Sequence, residues 1–227
     1  MCLILLAWQK HPDFPLIVAA NRDEFHARPA ARAAFWQDRP AILAGRDLEA
    51  GGTWMGVSRG GRFAAVTNYR GGREPRAVES RGALVTGFLL SDLNPEDFVT
   101  KTETLKGSYS GFNLLVADGS ELWWLSNRDS APRRLEPGIY GLGNLLLDDP
   151  EVAESKARFL QALDLGVAIE PLFGVLAPAR IVAPEYGTRC STILLRGIDG
   201  RVQFAERGFD ADGGEGPTGR YEFRPGP

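Results

Sequence analysis

The chain has 227 residues, is 44% hydrophobic and 24% charged, and carries a formal net charge of -3. That profile is globular and long enough for a sizeable core, and it argues against general nucleic-acid binding, which needs a basic surface. The two cysteines, Cys2 and Cys190, form neither a metal motif nor a disulfide framework.

The first residues, MCLILLAW, read as a short buried strand from Cys2 to Trp8. They lack the basic flank and small-residue cleavage site of an export signal. No stretch reaches the roughly 18 apolar residues of a membrane span, so a cytoplasmic protein with reduced thiols and no stable membrane insertion is expected. His11-Pro12-Asp13 marks a turn. Leu16–Ala20 is a second apolar strand, antiparallel to the first, and it runs into Asn21-Arg22-Asp23-Glu24-Phe25. The Ala/Arg/Pro stretch that follows, with Phe35-Trp36, reads as irregular.

Thr53–Val57 and Arg62–Asn68 are expected as strands about the turn Arg59-Gly60-Gly61. Ser80–Ser91 fits an amphipathic helix. Asn94-Pro95-Glu96-Asp97 opens another, with Asn as N-cap and Pro at the first helical position. GFNLLVADGSELWWLSN is a hairpin about Asp118-Gly119, and Ile139–Gly143 is a short strand. Asp149 caps a helix to about Leu163, and a short helix is expected near Pro171–Leu176. Ser191–Leu195 and Val202–Glu206 close a hairpin about Asp199-Gly200. The last fifteen or so residues look frayed. This order is α+β, with antiparallel sheets covered by helices. No phosphate-binding loop, dinucleotide fingerprint or zinc-protease motif occurs.

Charge is uneven. Between Arg22 and Gly82 there are 11 arginines and no lysine against 7 acids. Arginine grips carboxylate and phosphate with a planar fork, which fits an anionic ligand. It equally fits arginine-rich usage on a solvated surface.

Cys2 is the most reactive candidate. If Met1 is removed, a thiol of pKa about 8.5 and an amine of pKa about 7.7–8.0 share one α-carbon. The amine can then activate its own nucleophile. Equally, Cys2 fills a strand as a small hydrophobe. Alternation puts Asn21 and Asp23 on one face of the second strand and Arg22 and Glu24 on the other. Asp23 is then placed to hold the amine and Asn21 to meet a substrate carbonyl. Asn68, at the end of an apolar strand, is either an oxyanion donor or a turn asparagine, and Asn144 shares that ambiguity. Arg189 opens a late strand and is a carboxylate or phosphate candidate. His11 and His26 read as loop residues.

MCLILL, LIVAANRDEF, GGTWMG, TNYR, RGALVTGFL, GFNLL, YGLGN and YGTRCSTILL occur in this order over residues 2–195. Together they resemble the NRDE family, also called the transport and Golgi organisation 2 family. The resemblance implies one such domain over residues 1–210, with 211–227 a flexible tail. It implies a fold similar to the N-terminal-nucleophile hydrolases: a four-layer αββα sandwich of antiparallel sheets. It also implies handling of a small amphipathic anion, haem-like or acyl-CoA-like, with haem as cargo rather than required cofactor. Asn21, Arg22, Trp54, Arg70 and Arg189 are its ligand-binding candidates.

A more distant likeness is to cysteine amidohydrolases such as bile salt hydrolase, which also begin Met-Cys. Their Arg-Asn-x-Asp pattern corresponds here to Ala20-Asn21-Arg22-Asp23, so the arginine position holds Ala20. On that likeness Cys2, Asp23, Asn68 and Asn144 are the catalytic set of an amidohydrolase or thioesterase. The carrier and the enzyme remain alternatives at this level.

Overall fold

In the computed structural model, residues 2–71, 78–129 and 131–226 are described. The elements in chain order are β1 (Leu3–Trp8), β2 (Leu16–Phe25), β3 (Ala30–Phe35), β4 (Ile42–Asp47), β5 (Met55–Ser58) and β6 (Phe63–Asn68). Helices α1 (Gly82–Leu90) and α2 (Pro95–Leu105) follow, then β7 (Phe112–Ala117), β8 (Leu122–Ser126), β9 (Arg133–Arg134) and β10 (Gly138–Leu142). Last come α3 (Ala153–Leu165), α4 (Ile169–Leu176), β11 (Tyr186–Arg196), β12 (Val202–Phe209) and β13 (Glu215–Phe223). The α+β class and the antiparallel pairing hold throughout.

The 1–210 domain of the sequence reading spans two compact units. The first is Met1–Arg28 with Pro137–Arg224, and the second Pro29–Glu136 with Pro225–Pro227.

The first unit is a six-stranded sheet in the order β10-β1-β2-β11-β12-β13. Every residue of β1 is buried, as a strand covered on both faces must be, which is why LILLAW is apolar without alternation. Leu3, Leu5, Ala7, Ile17, Ala19, Ile193 and Leu195 share one face. They pack with Phe159 and Leu163 of α3 and Leu172, Phe173 and Leu176 of α4. α3 ends at Gly166, whose φ of 120° suits a residue without a side chain.

The second unit is a seven-stranded sheet in the order β3-β4-β5-β6-β7-β8-β9. Its core joins Ile42, Ala44, Ala64, Phe112, Leu114 and Val116 to Leu84, Val85 and Phe88 of α1 and Phe98 and Val99 of α2. Asn94 caps α2 as expected: its Oδ1 accepts from Asp97 N–H at 2.8 Å.

Three local readings change. The Ala/Arg stretch is not irregular but supplies the β3–β4 hairpin. β3 is an edge strand of low β-propensity residues, ordered by pairing with β4 rather than by its own preference. α1 is not amphipathic: Leu84, Val85, Thr86, Phe88 and Leu89 are all buried, so apolar groups surround the helix. β2 runs through Phe25, so Asn21-Arg22-Asp23-Glu24 is strand, as the alternation assumed. Most of the expected tail is β13, paired with β12 from Val202↔Phe223 to Phe209↔Glu215. Its neighbour's backbone groups order it although its composition is that of a loop. Among the described residues no helix is long and apolar enough to cross a membrane.

Candidate functional site around Cys2

NRDEF is strand because β11 answers it residue for residue: Asn21↔Ser191, Arg22↔Cys190, Asp23↔Thr188 and Phe25↔Tyr186, with a bulge at Arg189. Buried polar groups within such a ladder need partners. Asn21 Oδ1 accepts from Ser191 Oγ at 2.6 Å, and Asn21 Nδ2 donates to the Leu176 carbonyl at 3.2 Å. The carboxamide therefore ties β2 to the end of α4. Asp23 Oδ1 accepts from Thr188 Oγ1 at 2.6 Å, and Thr188 Oγ1 in turn accepts from Ile181 N–H at 2.8 Å.

Cys2 sits just ahead of β1, half-buried. Its sulfur lies 3.5 Å from both the amide nitrogen and the carbonyl oxygen of Asp23. The register Leu3↔Asn21, carried one residue on, sets Cys2 beside Arg22, with Cys190 on Arg22's other side. The strand alternation is thus as read, but its meaning changes: the face thought to point away carries Arg22 between two thiols. Arg22 is 6% exposed, and its Nη2 lies 3.9 Å from Glu24 Oε2.

The electrostatics match this placement. Burial pushes the Cys2 thiol up to about 11, and the Asp23 charge adds to the rise. The Asp23 backbone, the terminal ammonium and Arg22 pull it down, but less strongly. That value belongs to the chain with Met1 attached, in which the nitrogen of Cys2 is an amide and no base. Burial and the Glu206 charge push Cys190 well above the ordinary thiol range. Glu206 Oε2 accepts from Thr192 Oγ1 at 3.4 Å.

The other candidates lie on several elements. Asn144 is buried in the first unit, two residues past the end of β10, and β10 is the strand beside β1. Arg189 donates from Nη1 to the Phe25 carbonyl at 3.2 Å and the His26 carbonyl at 2.9 Å. In this geometry it clamps the end of β2. His26 Nε2 lies 2.9 Å from the Ala183 carbonyl, and His11 Nδ1 accepts from Asp13 N–H at 3.2 Å. Asn68, Trp54 and Arg70 belong to the second unit. Asn68, at the end of β6, and Arg70 are exposed. Trp54 is half-buried, and a Cβ on Gly45 would stand 2.4 Å from its ring.

Much of the arginine-rich stretch serves its own unit. Arg46 makes a two-pronged pair with Asp38 at 2.7 and 2.9 Å and stacks on Trp36. Arg62 donates to the carbonyls of Phe88 at 3.2 Å and Leu93 at 2.5 Å. Arg59 donates to the Pro40 carbonyl at 3.0 Å, and Arg81 to the Gly111 carbonyl at 3.1 Å. Arg73 and Arg76 lie outside the described residues.

Sequence reading missed Thr188. The signal was present in YGTRCST, whose polar residues fall opposite NRDEF once the two strands are paired.

A model of the family described as Transport and Golgi organisation 2 matches residues 1–177. The chain belongs to the transport and Golgi organisation 2 family. It is 35% identical to the bovine Transport and Golgi organization protein 2 homolog over 99% of both chains, and 34% identical to the human one over 98% of this chain and 99% of that one. The Drosophila melanogaster protein of that name is 29% identical over 70% of this chain and 64% of its own.

Among solved structures, the Caenorhabditis elegans ortholog of N-acylethanolamine-hydrolyzing acid amidase aligns with a TM-score of 0.54 at 13% identity, covering 86% of this chain and 92% of that one. A conjugated bile acid hydrolase from Clostridium perfringens, with its cysteine replaced by alanine, aligns at 0.56 with 10% identity, over 99% of this chain and 97% of its own. These likenesses establish the N-terminal-nucleophile hydrolase-like fold.

Proposed function

We propose that this transport and Golgi organisation 2 family member is an N-terminal cysteine hydrolase acting on an acyl amide or acyl thioester. The observation that carries the reading is the Cys2 sulfur, 3.5 Å from the Asp23 backbone and in line with the buried Arg22.

Removal of Met1 turns the Cys2 amide into an α-amine, which Asp23 orients. The amine takes the thiol proton as sulfur bonds to the substrate carbonyl carbon, and the C=O electron pair moves onto oxygen. Asn144 is a candidate donor to that oxygen. When the carbonyl re-forms, the C–N or C–S bond to the leaving group breaks. The proton held by the amine goes to the departing amine or thiol. Water then attacks the acyl-enzyme thioester in the same way, releasing a carboxylic acid and restoring the Cys2 thiol. Arg22 favours the thiolate by placing a positive charge beside it.

The test combines intact mass with turnover of an acyl-CoA and an N-acyl amide by wild type and Cys2→Ala. Loss of Met1 and hydrolysis that falls about 10³-fold or more in the variant are expected. Retention of Met1, or equal rates in the two proteins, sinks the reading.

A second reading is a carrier of a haem-like or acyl-CoA-like amphipathic anion. It applies where Met1 stays attached: the thiol, raised to about 11, is then neutral and a poor nucleophile, and holding an anion falls to the surrounding groups rather than to sulfur. Saturable binding of haem or acyl-CoA, altered by Cys2→Ser or His26→Ala and without turnover, is what it requires.

A further inference from the structure

Thr188 lies in a hydrogen-bond chain with one direction. Its backbone N–H donates to the Ile181 carbonyl at 2.9 Å, and the Ile181 N–H donates back to Thr188 Oγ1 at 2.8 Å. A hydroxyl has a single proton to give, and Thr188 gives it to Asp23 Oδ1 at 2.6 Å. Both residues are buried, so the bond is closed to water. The bulge at Arg189 is what puts Thr188 there. Cys190 stands across from Arg22, so an unbroken ladder would set Arg189 across from Asp23; the bulge sets Thr188 in that place. Arg189 Nη1 goes instead to the Phe25 and His26 carbonyls. On β11 the acid is therefore met by a neutral donor.

The Asp23 peptide is the surface against which the Cys2 sulfur rests, 3.5 Å from its nitrogen and from its oxygen. The Asp23 side chain leaves β2 on the face opposite Arg22. Thr188 thus meets sulfur only through the Asp23 backbone that it pins. One pair along the same ladder, Ser191 Oγ donates to Asn21 Oδ1, also at 2.6 Å and also buried. That bond anchors a residue paired with Leu3 rather than one whose peptide touches the sulfur. The two hydroxyls are matched in strand, face and distance, and differ in what they hold.

We propose that Thr188 is a positioning residue for the Cys2 nucleophile, fixing through Asp23 the peptide against which the sulfur lies. The proposal deepens the hydrolase reading above and rests on it for the task of the thiol.

The test uses the full chain and reads acyl-CoA turnover together with iodoacetamide alkylation of Cys2 at pH 8, followed by peptide mass. Thr188→Val keeps the side-chain shape and removes the hydroxyl; Thr188→Ala replaces it if the valine variant does not fold. A displaced nucleophile is expected to lower kcat by about 10- to 100-fold with KM within about twofold. The variant also sets a methyl group against the carboxylate in place of a donor, which disfavours its charge, so alkylation is expected to quicken by about threefold or more. Thr188→Ser keeps the oxygen and should restore both values. Ser191→Ala should lower the urea midpoint as much as Thr188→Val does and leave both values as in wild type. Alkylation decides: an unchanged rate in Thr188→Val, or an equal change in Ser191→Ala, overturns the proposal. If wild type and Cys2→Ala turn over acyl-CoA equally, the hydrolase reading fails, and the alkylation rates still judge Thr188 by themselves.

Discussion

The two units bury polar groups in different ways. The first buries the ionisable residues Arg22, Asp23 and Glu206, all on β2 and β12. Among the described residues of the second, the buried polar groups are Thr53, Ser58, Thr67, Thr86, Thr102, Asn113 and Ser126, none of them ionisable. Arg46, Arg59, Arg62 and Arg81 spend donors on carbonyls and on Asp38. Burying a charge is costly unless it is paired, so a fold seeking stability alone keeps charges out, as the second unit does. The first unit tolerates them beside a thiol. That contrast separates a stretch rich in charge from a site built around charge.

Phe88→Ala should give the largest effect on stability. The ring is fully buried, edge-on to Phe98 at 5.1 Å and beneath Arg62. A loss of about 4 kcal/mol is expected from chemical denaturation, with no change in the alkylation rate of Cys2. A changed rate would break the division drawn above.

Alkaline pH should come next. The Cys2 thiol is raised to about 11 when folded against about 8.5 when unfolded. The folded state therefore holds its proton longer. The stabilisation is fully present below pH about 8.5 and is lost as pH rises through about 11, a fall of about 3 kcal/mol. Urea midpoints between pH 8 and 11 should show it in the unprocessed chain. Cys2→Ala should reduce it and leave the part due to Cys190, which shifts in the same direction.

Asp23→Ala leaves the Thr188 hydroxyl without its acceptor at 2.6 Å and should cost about 2 kcal/mol. Because the Asp23 charge raises the thiol pKa and Arg22 lowers it, the two residues act oppositely on reactivity. Iodoacetamide should react faster at pH 8 with Asp23→Asn than with wild type, and slower with Arg22→Met. Rates shifted in one direction by both variants would remove the electrostatic account.

The smallest effect belongs to the second unit's surface. Asn94→Ala removes the cap bond to Asp97 N–H at 2.8 Å and should cost about 1 kcal/mol. Thermal melting of the full chain reads this, and Cys2 should not register it.

Strands β1 and β6, the turns at Gly61 and Gly200 and the start of α2 were legible in the sequence because their signals are local: apolar runs, positive-φ glycines and a capping asparagine. β3 and β13 were not, since alanine, arginine and glycine announce no strand and only a neighbouring strand fixes them. At the site, Cys2, Arg22 and Asp23 stood out by residue type, and the alternation of Asn21 and Asp23 against Arg22 was read correctly. The partner strand was not, so the bonds that the Asn21 carboxamide makes to Leu176 and Ser191 were not foreseen.

By itself, then, the sequence determined the family, the α+β class and the identity of a thiol, a guanidinium and a carboxylate near one another. Tertiary structure decided the rest. β11 lies about 165 residues after β2 in the chain and yet supplies Thr188 at 2.6 Å from Asp23 and Tyr186 opposite Phe25. Strand pairing at that separation depends on register, and register is fixed by the packing of both faces rather than by any local preference of the residues involved.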